Sequence, residues 1–418
     1  MKFIHAADIH IDSALAGLSA HEDAPVELLR TATRTAFSTL IDRAIEEKVA
    51  FIIIAGDLYD TDWKDYNTGF FFNREMARLN AVGILAIVLY GNHDAENDMT
   101  KKLPVPPNVR IFDSAKAHTI RLEDLRVALH GQSFKQADTR ENLVPGYPEP
   151  LSGWLNIGVL HTNLQGSDHA PYAPCTLTEL QNKGYAYWAL GHVHQFGILA
   201  DAPWVVFPGN LQGRHIRETG PRGGVLVTYE DGALHRPERL LVDVVRWALA
   251  KVDITGTKTR EEVVAKVGQA FQHILDHEAD GRPVACRVVI FGKSAAHGEL
   301  FGQARQLRAD LIAQAISVAG DKFWIEKIKV QSQPATDPFT IAERGDALAE
   351  LQDLLREAAQ DPAFLASLKD ELSPLVAKMP HDLFKQDVPA LLAVKNGNFP
   401  ALIAEVTPSV IDRIARED

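Results

Sequence analysis

Two spacings of apolar residues alternate along the first ninety positions. Short apolar runs bounded by polar residues are typical of buried strands. These runs stand at residues 2–7, 51–55 and 84–89. After Pro25, residues 26–48 instead repeat apolar positions every three or four residues, and a similar stretch follows near 68–81. This spacing predicts two helices, and the alternating order predicts parallel strands joined by right-handed crossovers.

Short strands dominate from residue 109 to residue 240. They are predicted at Arg126–His130, Leu155–Leu160, Tyr185–Leu190, Trp204–Phe207 and Val225–Tyr229. Together with the first helices, these strands fit an α/β fold built as a two-sheet sandwich flanked by helices. His5 lies inside the first strand and is expected to be a packed core residue.

A smaller unit is predicted after the sandwich, as strand, helix, strand, helix and strand. These elements are expected at 240–252, 260–275, 283–291, 299–317 and 323–330. Gln331–Phe339 contains two prolines and is predicted to be a linker. The expected organisation is a first domain at 1–238, a small α+β domain at 239–332 and a helical C-terminal region at 339–418.

The C-terminal region shows helical signals interrupted by proline. Thr340-Ile341-Ala342-Glu343 matches a capping box. An apolar stripe at helical spacing follows at Leu348, Leu351, Leu354 and Leu355. Breaks between short helices are expected at Pro374, Pro380, Pro389, Pro400 and Pro408. These helices either dock on the body of the protein or form a docking element for another protein.

Polar residues able to bind a metal follow five of the apolar runs. The motifs are Asp8-Ile9-His10, Gly56-Asp57, Gly91-Asn92-His93-Asp94, His161 and Gly191-His192-Val193-His194. Ligand sites in open α/β sheets form beyond the carboxyl ends of the strands, so these motifs predict one shared metal centre. Nitrogen and oxygen donors without cysteine favour manganese, iron or zinc. The candidate ligands exceed the roughly four of one structural zinc and suffice for two ions if a carboxylate bridges them.

The five motifs, in this order, resemble the calcineurin-like metallophosphoesterases over residues 1–230. Ala55–Asp60, Tyr90 and Pro208–His215 are similar to the DNA-repair exonuclease branch, which includes SbcD-like proteins. Ile9 stands where SbcD-like chains often carry Trp, so YhaO-like proteins are the closer subgroup. The resemblance implies the two-sheet sandwich and makes the small α+β domain a capping domain that narrows access to the metals.

The resemblance also implies a role for each residue of the motifs. One ion would be held by Asp8, His10 and His194, and the other by Asn92, His161 and His192. Asp57 would bridge the two ions. His93 would face the scissile phosphate as an acid or as a stabiliser of the transition state, and Asp94 could orient His93 or a ligand.

The implied activity is hydrolysis of DNA phosphodiesters with two divalent ions, manganese first and iron or zinc as alternatives. The protein would act as an exonuclease in DNA repair, and also as an endonuclease on single strands. An SbcC-like coiled-coil ATPase is the implied partner, and a homodimer is compatible with the resemblance. Two other functions stay open. One is a phosphodiesterase or phosphatase acting on nucleotides or small molecules, and the other is a mainly structural subunit that tethers DNA ends.

The net charge of −12 argues against a general affinity for DNA, because phosphate contacts usually need a basic face. Candidate DNA contacts are nevertheless present at Arg214, Arg217, Arg222, Lys101 and Lys102. No apolar run approaches the roughly 20 residues of a membrane span, and no signal-peptide apolar region precedes the first strand. A cytoplasmic protein without membrane contact is therefore expected. Cys175 and Cys286 are isolated and do not indicate a disulfide framework.

Overall fold

The computed structural model describes residues 1–15, 26–60, 66–96, 104–164, 172–335, 347–379 and 389–417. The contacts of the chain divide it into two compact units. The first comprises Met1–Ala248 with Gly281–Ala285, and the second comprises Leu249–Asp280 with Cys286–Asp418. Most of the predicted α+β segment falls in one unit with the C-terminal helices. The three-part division predicted from the sequence stays a prediction.

The elements follow the chain in a regular order. The strands of the first unit are β1 (Lys2–Ala6), β2 (Phe51–Ala55), β3 (Leu85–Leu89), β4 (Val109–Ile111), β5 (His118–Leu122), β6 (Val127–Gly131), β7 (Leu155–His161), β8 (Tyr187–Gly191), β9 (Gly197–Asp201), β10 (Trp204–Phe207), β11 (Gly223–Glu230), β12 (Ala233–Leu234) and β13 (Glu238–Leu241). Its helices are α1 (Val26–Glu46), α2 (Asn67–Ala81), α3 (Asn92–Glu96) and α4 (Leu177–Asn182).

A third group of strands lies mostly in the second unit. These are β14 (Arg246–Asp253), β15 (Val284–Ser294) and β16 (Phe323–Pro334). The helices of this unit are α5 (Arg260–His277), α6 (His297–Gly302), α7 (Ala304–Ala319), α8 (Ala347–Ala358), α9 (Pro362–Lys378), α10 (Pro389–Lys395) and α11 (Phe399–Glu417). Among the described residues, no helix is both long and apolar enough to span a bilayer.

Two sheets build the first unit. One has the order β12-β11-β1-β2-β3-β4, with β13 paired to β11, and the other has the order β5-β6-β7-β8-β10-β9. Strands β1 to β4 run parallel, and so do β6, β7, β8 and β10. Parallel neighbours place their carboxyl ends at the same edge of a sheet, which is where ligand sites form.

The central strands are buried on both faces. In β2, Phe51 and Ile53 pack between the two sheets, whereas Ile52 and Ile54 belong to the core that includes Phe37 of α1. A strand covered on both sides must be apolar throughout, which explains the uninterrupted apolar run in this part of the sequence. The predicted α/β sandwich of two sheets flanked by helices is confirmed.

The second unit is built on the three-stranded sheet β14-β15-β16. Helices α5 and α7 pack against each other, and Phe271 of α5 contacts Phe323 of β16 with ring centroids 4.6 Å apart. Helix α11 packs against α6, α8 and β16 and buries Phe399 and Ile403. The predicted helical C-terminal region is therefore present, and its last helix packs within its own unit.

Three local predictions are wrong. The predicted linker Gln331–Phe339 begins inside β16. Pro374 lies inside α9 and Pro408 inside α11, so neither ends its helix. A proline removes one helical hydrogen bond, but the turns on either side can still form and only kink at that point. The predicted capping box at Thr340–Glu343 and the predicted break at Pro380 lie outside the described residues.

Candidate metal centre

The predicted metal-binding motifs meet at one edge of the sandwich in the first unit. Each begins beyond a strand or at its last residue: Asp8 after β1, Asp57 after β2, Asn92 after β3, His161 at the end of β7 and His192 after β8. The Asp8 N–H donates to the Gly56 carbonyl and the His10 N–H donates to the Asp57 carbonyl, both at 3.0 Å. These bonds hold the first two loops side by side.

The backbone of these loops is strained. Four non-glycine residues have positive φ angles of 50°, 46°, 51° and 97°, namely Asp8, His10, Asp57 and His192. Such residues are uncommon and often mark functional sites. At Gly191, a Cβ atom would lie 1.9 Å from the Ala55 carbonyl oxygen. Only glycine therefore allows the end of β8 to come this close to the end of β2.

One group of donors consists of Asp8, His10 and His194. One ligand atom from each lies within 4.8 Å of the other two. The His194 Nε2 atom is 3.8 Å from Asp8 Oδ1. The Asp8 carboxylate also accepts the His192 backbone N–H at 3.0 Å, and this bond holds the carboxylate beside the carboxyl end of β8.

A second group consists of Asp57, His161 and His192, again with one atom from each within 4.8 Å of the others. The Asn92 side-chain oxygen lies 3.1 Å from His161 Nε2 and joins this group. Asp57 Oδ2 is 3.4 Å from His161 Nε2 and 3.8 Å from His10 Nε2. This carboxylate therefore reaches both groups, as a bridging ligand must.

The donor set fits two divalent cations. Both ring nitrogens of His10 are buried, and neither has a hydrogen-bond partner among the described residues. A buried polar atom left without a partner costs about 1–3 kcal/mol, and a bound cation would remove that cost at one nitrogen. Burial, and after it Arg214, lowers the pKa of His10 well below its usual value, so the imidazole is neutral and able to ligate.

The second group contains an ionised carboxylate that favours a bound cation. Burial alone would raise the pKa of Asp57, but His161 is the main group that opposes it, and that pKa lies far below its usual range. Burial likewise opposes a charge on His161, but Asp57 raises the pKa of His161 to about 9. A divalent cation would take the place of the His161 proton beside the Asp57 carboxylate.

His93 faces a carboxylate that the sequence analysis did not single out. Its Nδ1 atom lies 3.3 Å from Asp60 Oδ1, and that nitrogen is buried. The side chain is 33% exposed, so a part of the ring other than Nδ1 is accessible. The ring also makes an edge contact with His10, with centroids 4.9 Å apart. His93 thus borders the ligand groups and is partly accessible.

Asp94 is held by backbone amides of two neighbouring loops. Its buried carboxylate accepts three backbone N–H bonds, from Leu58 at 3.1 Å, Tyr59 at 2.8 Å and Gly91 at 3.0 Å. It therefore braces the loops after β2 and β3, and its role in orienting His93 or a ligand stays a prediction. Asp60 takes the place beside the His93 ring.

The predicted DNA contacts differ among themselves. Arg222 is 4% exposed, and its guanidinium donates to the carbonyls of His194 and Thr219. Its side chain therefore stabilises the backbone around His194 and is not accessible to a ligand. Arg217 is exposed. Arg214 lies in the site, 3.2 Å from Ser13 Oγ, and its buried Nε has no hydrogen-bond partner among the described residues. Lys101 and Lys102 lie outside the described residues.

Sequence reasoning missed two carboxylates of this site. Asp60 ends the Ala55–Asp60 stretch that resembles the DNA-repair branch, but the resemblance assigned no role to it. Glu218 binds His194 from a loop 24 residues further along the chain, and no local pattern marks it.

A relative with a similar sequence decides the family. The uncharacterized metallophosphoesterase YhaO of Bacillus subtilis is 35% identical over 297 residues, which cover 70% of this chain and 72% of that protein. The chain belongs to the calcineurin-like phosphoesterase family. The profile of that family matches residues 1–196, and the profile of the YhaO middle domain matches residues 247–333. The predicted resemblance is confirmed.

Two further comparisons show weaker similarity to this phosphoesterase. The DNA double-strand break repair protein Mre11 of Methanopyrus kandleri is 24% identical over 301 residues, covering 64% of this chain and 62% of that protein. A crystal structure of a dimetal phosphatase from Danio rerio matches 58% of this chain and 98% of that chain, with 11% identity and a TM-score of 0.38. Membership of the family implies hydrolysis of phosphoesters at a dinuclear divalent metal site.

Proposed function

We propose that this phosphoesterase hydrolyses phosphodiester bonds in DNA, as an exonuclease and also as an endonuclease on single strands. The observation that carries this proposal is the similarity to Mre11 over 301 residues. At the site, Arg214 lies 3.8 Å from both Asp60 and Glu218 and would offer a positive charge to a phosphate beside the ligand groups.

DNA is the proposed diester because of the similarity to Mre11. That similarity extends over 301 residues and therefore beyond the 196 residues that match the family profile. The relative is described as a DNA double-strand break repair protein, and this supports a role for the present chain in DNA repair.

Different residues are proposed to bind the metals, to donate the proton and to bind the phosphate. One ion would be held by Asp8, His10 and His194, the other by Asn92, His161 and His192. Asp57 lies within reach of both groups. Two ions, proposed to be manganese, would supply Lewis-acid activation of water and of the phosphoryl group. His93 holds a proton at Nε2 for the leaving oxygen, with Asp60 beside its other nitrogen. Arg214 is placed to bind a phosphate oxygen of the substrate.

A coiled-coil ATPase of the SbcC type is the proposed partner, and the C-terminal helices are its proposed docking element. Exposed apolar side chains on α8 and α9 support this, at Leu354, Phe364 and Leu375. A cytoplasmic location and a homodimer are proposed together with this partner.

A digestion panel tests the activity. The metal-free protein is supplied with Mn²⁺ and given single-stranded, blunt, recessed and hairpin DNA, beside bis-p-nitrophenyl phosphate and p-nitrophenyl phosphate. We expect manganese-dependent cleavage of DNA and of the small diester, with slower turnover of the monoester. Hydrolysis of the small esters without any cleavage of DNA would instead support a phosphodiesterase or phosphatase acting on nucleotides. Two bound ions without turnover on any substrate would support a structural subunit.

A further inference from the structure

Glu218 is buried beside the ligand groups without belonging to them. It is 5% exposed and lies in the loop between β10 and β11. Its Oε1 atom is 2.6 Å from His194 Nδ1. Its Oε2 atom accepts the Arg214 backbone N–H at 2.7 Å and the Asn210 side-chain N–H at 3.0 Å. One buried carboxylate thus binds three donors, one of them a ring that carries a metal-binding atom.

This contact selects the tautomer of His194. A carboxylate can only accept, so Nδ1 must carry the proton that it donates to Glu218. The Nε2 atom is then the ring nitrogen that remains for a cation, and it lies 3.8 Å from Asp8. The ring is therefore held in the orientation that a metal ligand needs.

The other histidine donors are supported differently. His161 Nδ1 lies 3.0 Å from the backbone carbonyl of Ala55, which is a neutral dipole. His10 has no hydrogen-bond partner at either nitrogen among the described residues. The full negative charge of Glu218 makes the His194 imidazole the more electron-rich donor. The two ligand groups consequently differ in basicity, although both contain histidine and aspartate.

Glu218 also determines where Arg214 lies. The Arg214 backbone N–H donates to Oε2 of Glu218. The Arg214 guanidinium lies 3.8 Å from Oε1 of Glu218 and 3.8 Å from Asp60. A shift of the carboxylate would therefore move a metal ligand and a candidate phosphate-binding side chain together.

We propose that Glu218 is a positioning residue that fixes His194 and thereby sets the affinity of the ion held with Asp8 and His10, while it keeps Arg214 in the site. The inference rests on the proposed assignment of two ions to the two ligand groups. It does not depend on DNA being the substrate.

Metal titration of a near-isosteric variant tests the proposal. Glu218→Gln keeps the size of the side chain and loses the charge. Calorimetric titration of the metal-free protein with Mn²⁺ should show one of the two ions binding about 10–100-fold more weakly, with the other ion unchanged. A merely structural role would lower the melting temperature without separating the two affinities. Two ions bound with wild-type affinity, or a wild-type chain that binds no ion, would overturn the proposal.

Glu179→Gln is the matched control. Glu179 is also a carboxylate of the first unit that accepts a backbone N–H, from Thr176 at 2.7 Å, but it caps α4. This variant should bind both ions as the wild type does. Equal weakening in both variants would show a general effect of lost carboxylates and would contradict a specific role for Glu218.

The tautomer of His194 can be measured in the wild-type protein, so this test does not depend on the folding of Glu218→Gln. Nitrogen-15 NMR of histidine-labelled, metal-free protein is recorded at a pH at which the imidazoles are neutral, with His194→Gln used to assign the signal. It should show protonated Nδ1 and unprotonated Nε2. The opposite tautomer would overturn the proposal. Two bound ions and the expected tautomer without cleavage of DNA would leave the inference standing and remove the proposed substrate.

Discussion

Asp57 is the residue on which the two ligand groups depend together. Its Oδ2 atom lies between His161 Nε2 at 3.4 Å and His10 Nε2 at 3.8 Å. Asp57→Asn keeps the shape but removes the charge shared by both cations. We expect nearly complete loss of hydrolysis and the loss of at least one ion per chain, measured by elemental analysis after desalting. Two ions per chain in the variant would remove Asp57 from the bridging position.

His93 is expected to act on the substrate without binding an ion. His93→Gln should reduce turnover of bis-p-nitrophenyl phosphate by about 10²–10⁴-fold, because general acid catalysis typically contributes that much. Metal content and binding of uncleaved DNA should stay at the wild-type level. A loss of bound metal would make His93 a ligand, and a reduction under about tenfold would exclude it as the acid.

Asp60 should act through His93, since its carboxylate lies 3.3 Å from His93 Nδ1. We expect Asp60→Asn to reduce turnover by about 10–100-fold, the usual range for a residue that orients a functional group. Asp60→Asn combined with His93→Gln should be no slower than His93→Gln alone, because the carboxylate has nothing left to orient. Multiplied effects in the double variant would show that Asp60 acts independently, for example through Arg214.

At the scale of elements, His5 joins the two sheets. Its Nε2 donates to the Leu190 carbonyl of β8 at 3.1 Å, and its Nδ1 accepts from the Tyr187 hydroxyl at 3.0 Å. The expectation that this histidine belongs to the core is confirmed. Acceptance at Nδ1 needs the neutral ring, and burial lowers the pKa of His5 to about 3. The ordinary value is 6.5, so the unfolded chain takes up this proton first as the pH falls.

The stability contributed by neutral His5 should therefore be complete above pH 6.5 and should decrease as the pH falls towards 3. We expect the difference in free energy of unfolding between the wild type and His5→Gln, in metal-free protein, to shrink by about 1.4 kcal/mol per pH unit in this window. Urea unfolding at pH 7.5, 6 and 5 measures it. A difference that does not change with pH would mean that His5 is not the titrating group.

The packing of strand β7 against strand β8 requires a glycine at residue 158. At Gly158, a Cβ atom would lie 2.3 Å from Trp188 Cε3, and that indole is fully buried. Gly158→Ala should therefore destabilise the first unit by about 1–3 kcal/mol, which thermal unfolding would detect. Gly146→Ala is the control, because a Cβ there meets nothing within 4 Å. Equal melting temperatures for the two variants would contradict the close packing of β7 on β8.

At the scale of the whole molecule, the C-terminal helices can serve the second unit, a partner, or both. Ile403 of α11 is buried, whereas Leu354 of α8 is 62% exposed. Ile403→Asp should lower the melting temperature, because a charge would enter the contacts of α11 with α6 and β16. Leu354→Asp should leave the melting temperature unchanged and should weaken copurification with a coiled-coil ATPase. Normal copurification of Leu354→Asp would remove α8 from the docking surface.

Much of this architecture follows from local patterns. The apolar runs place β2 and β3 almost to the residue, because a strand buried on both faces tolerates few polar residues. The strands β4, β5, β9 and β12 were missed, since short partly exposed strands depend on their neighbours for stability and leave little trace in the sequence. Pro374 and Pro408 misled the assignment for a related reason, because proline biases a helix to end but does not compel it.

By itself the sequence determined the order of the buried strands and of the main helices, and it placed the candidate metal-binding donors at the strand ends. It could do so because burial dictates apolar periodicity, and because parallel strands direct the residues that follow them to one edge. Only the tertiary structure decided which polar side chains meet there. Glu218 beside His194, Asp60 beside His93 and Asp94 on backbone amides are set by the register of two sheets and by the paths of their loops. Those contacts join residues far apart in the chain, and no local spacing encodes them.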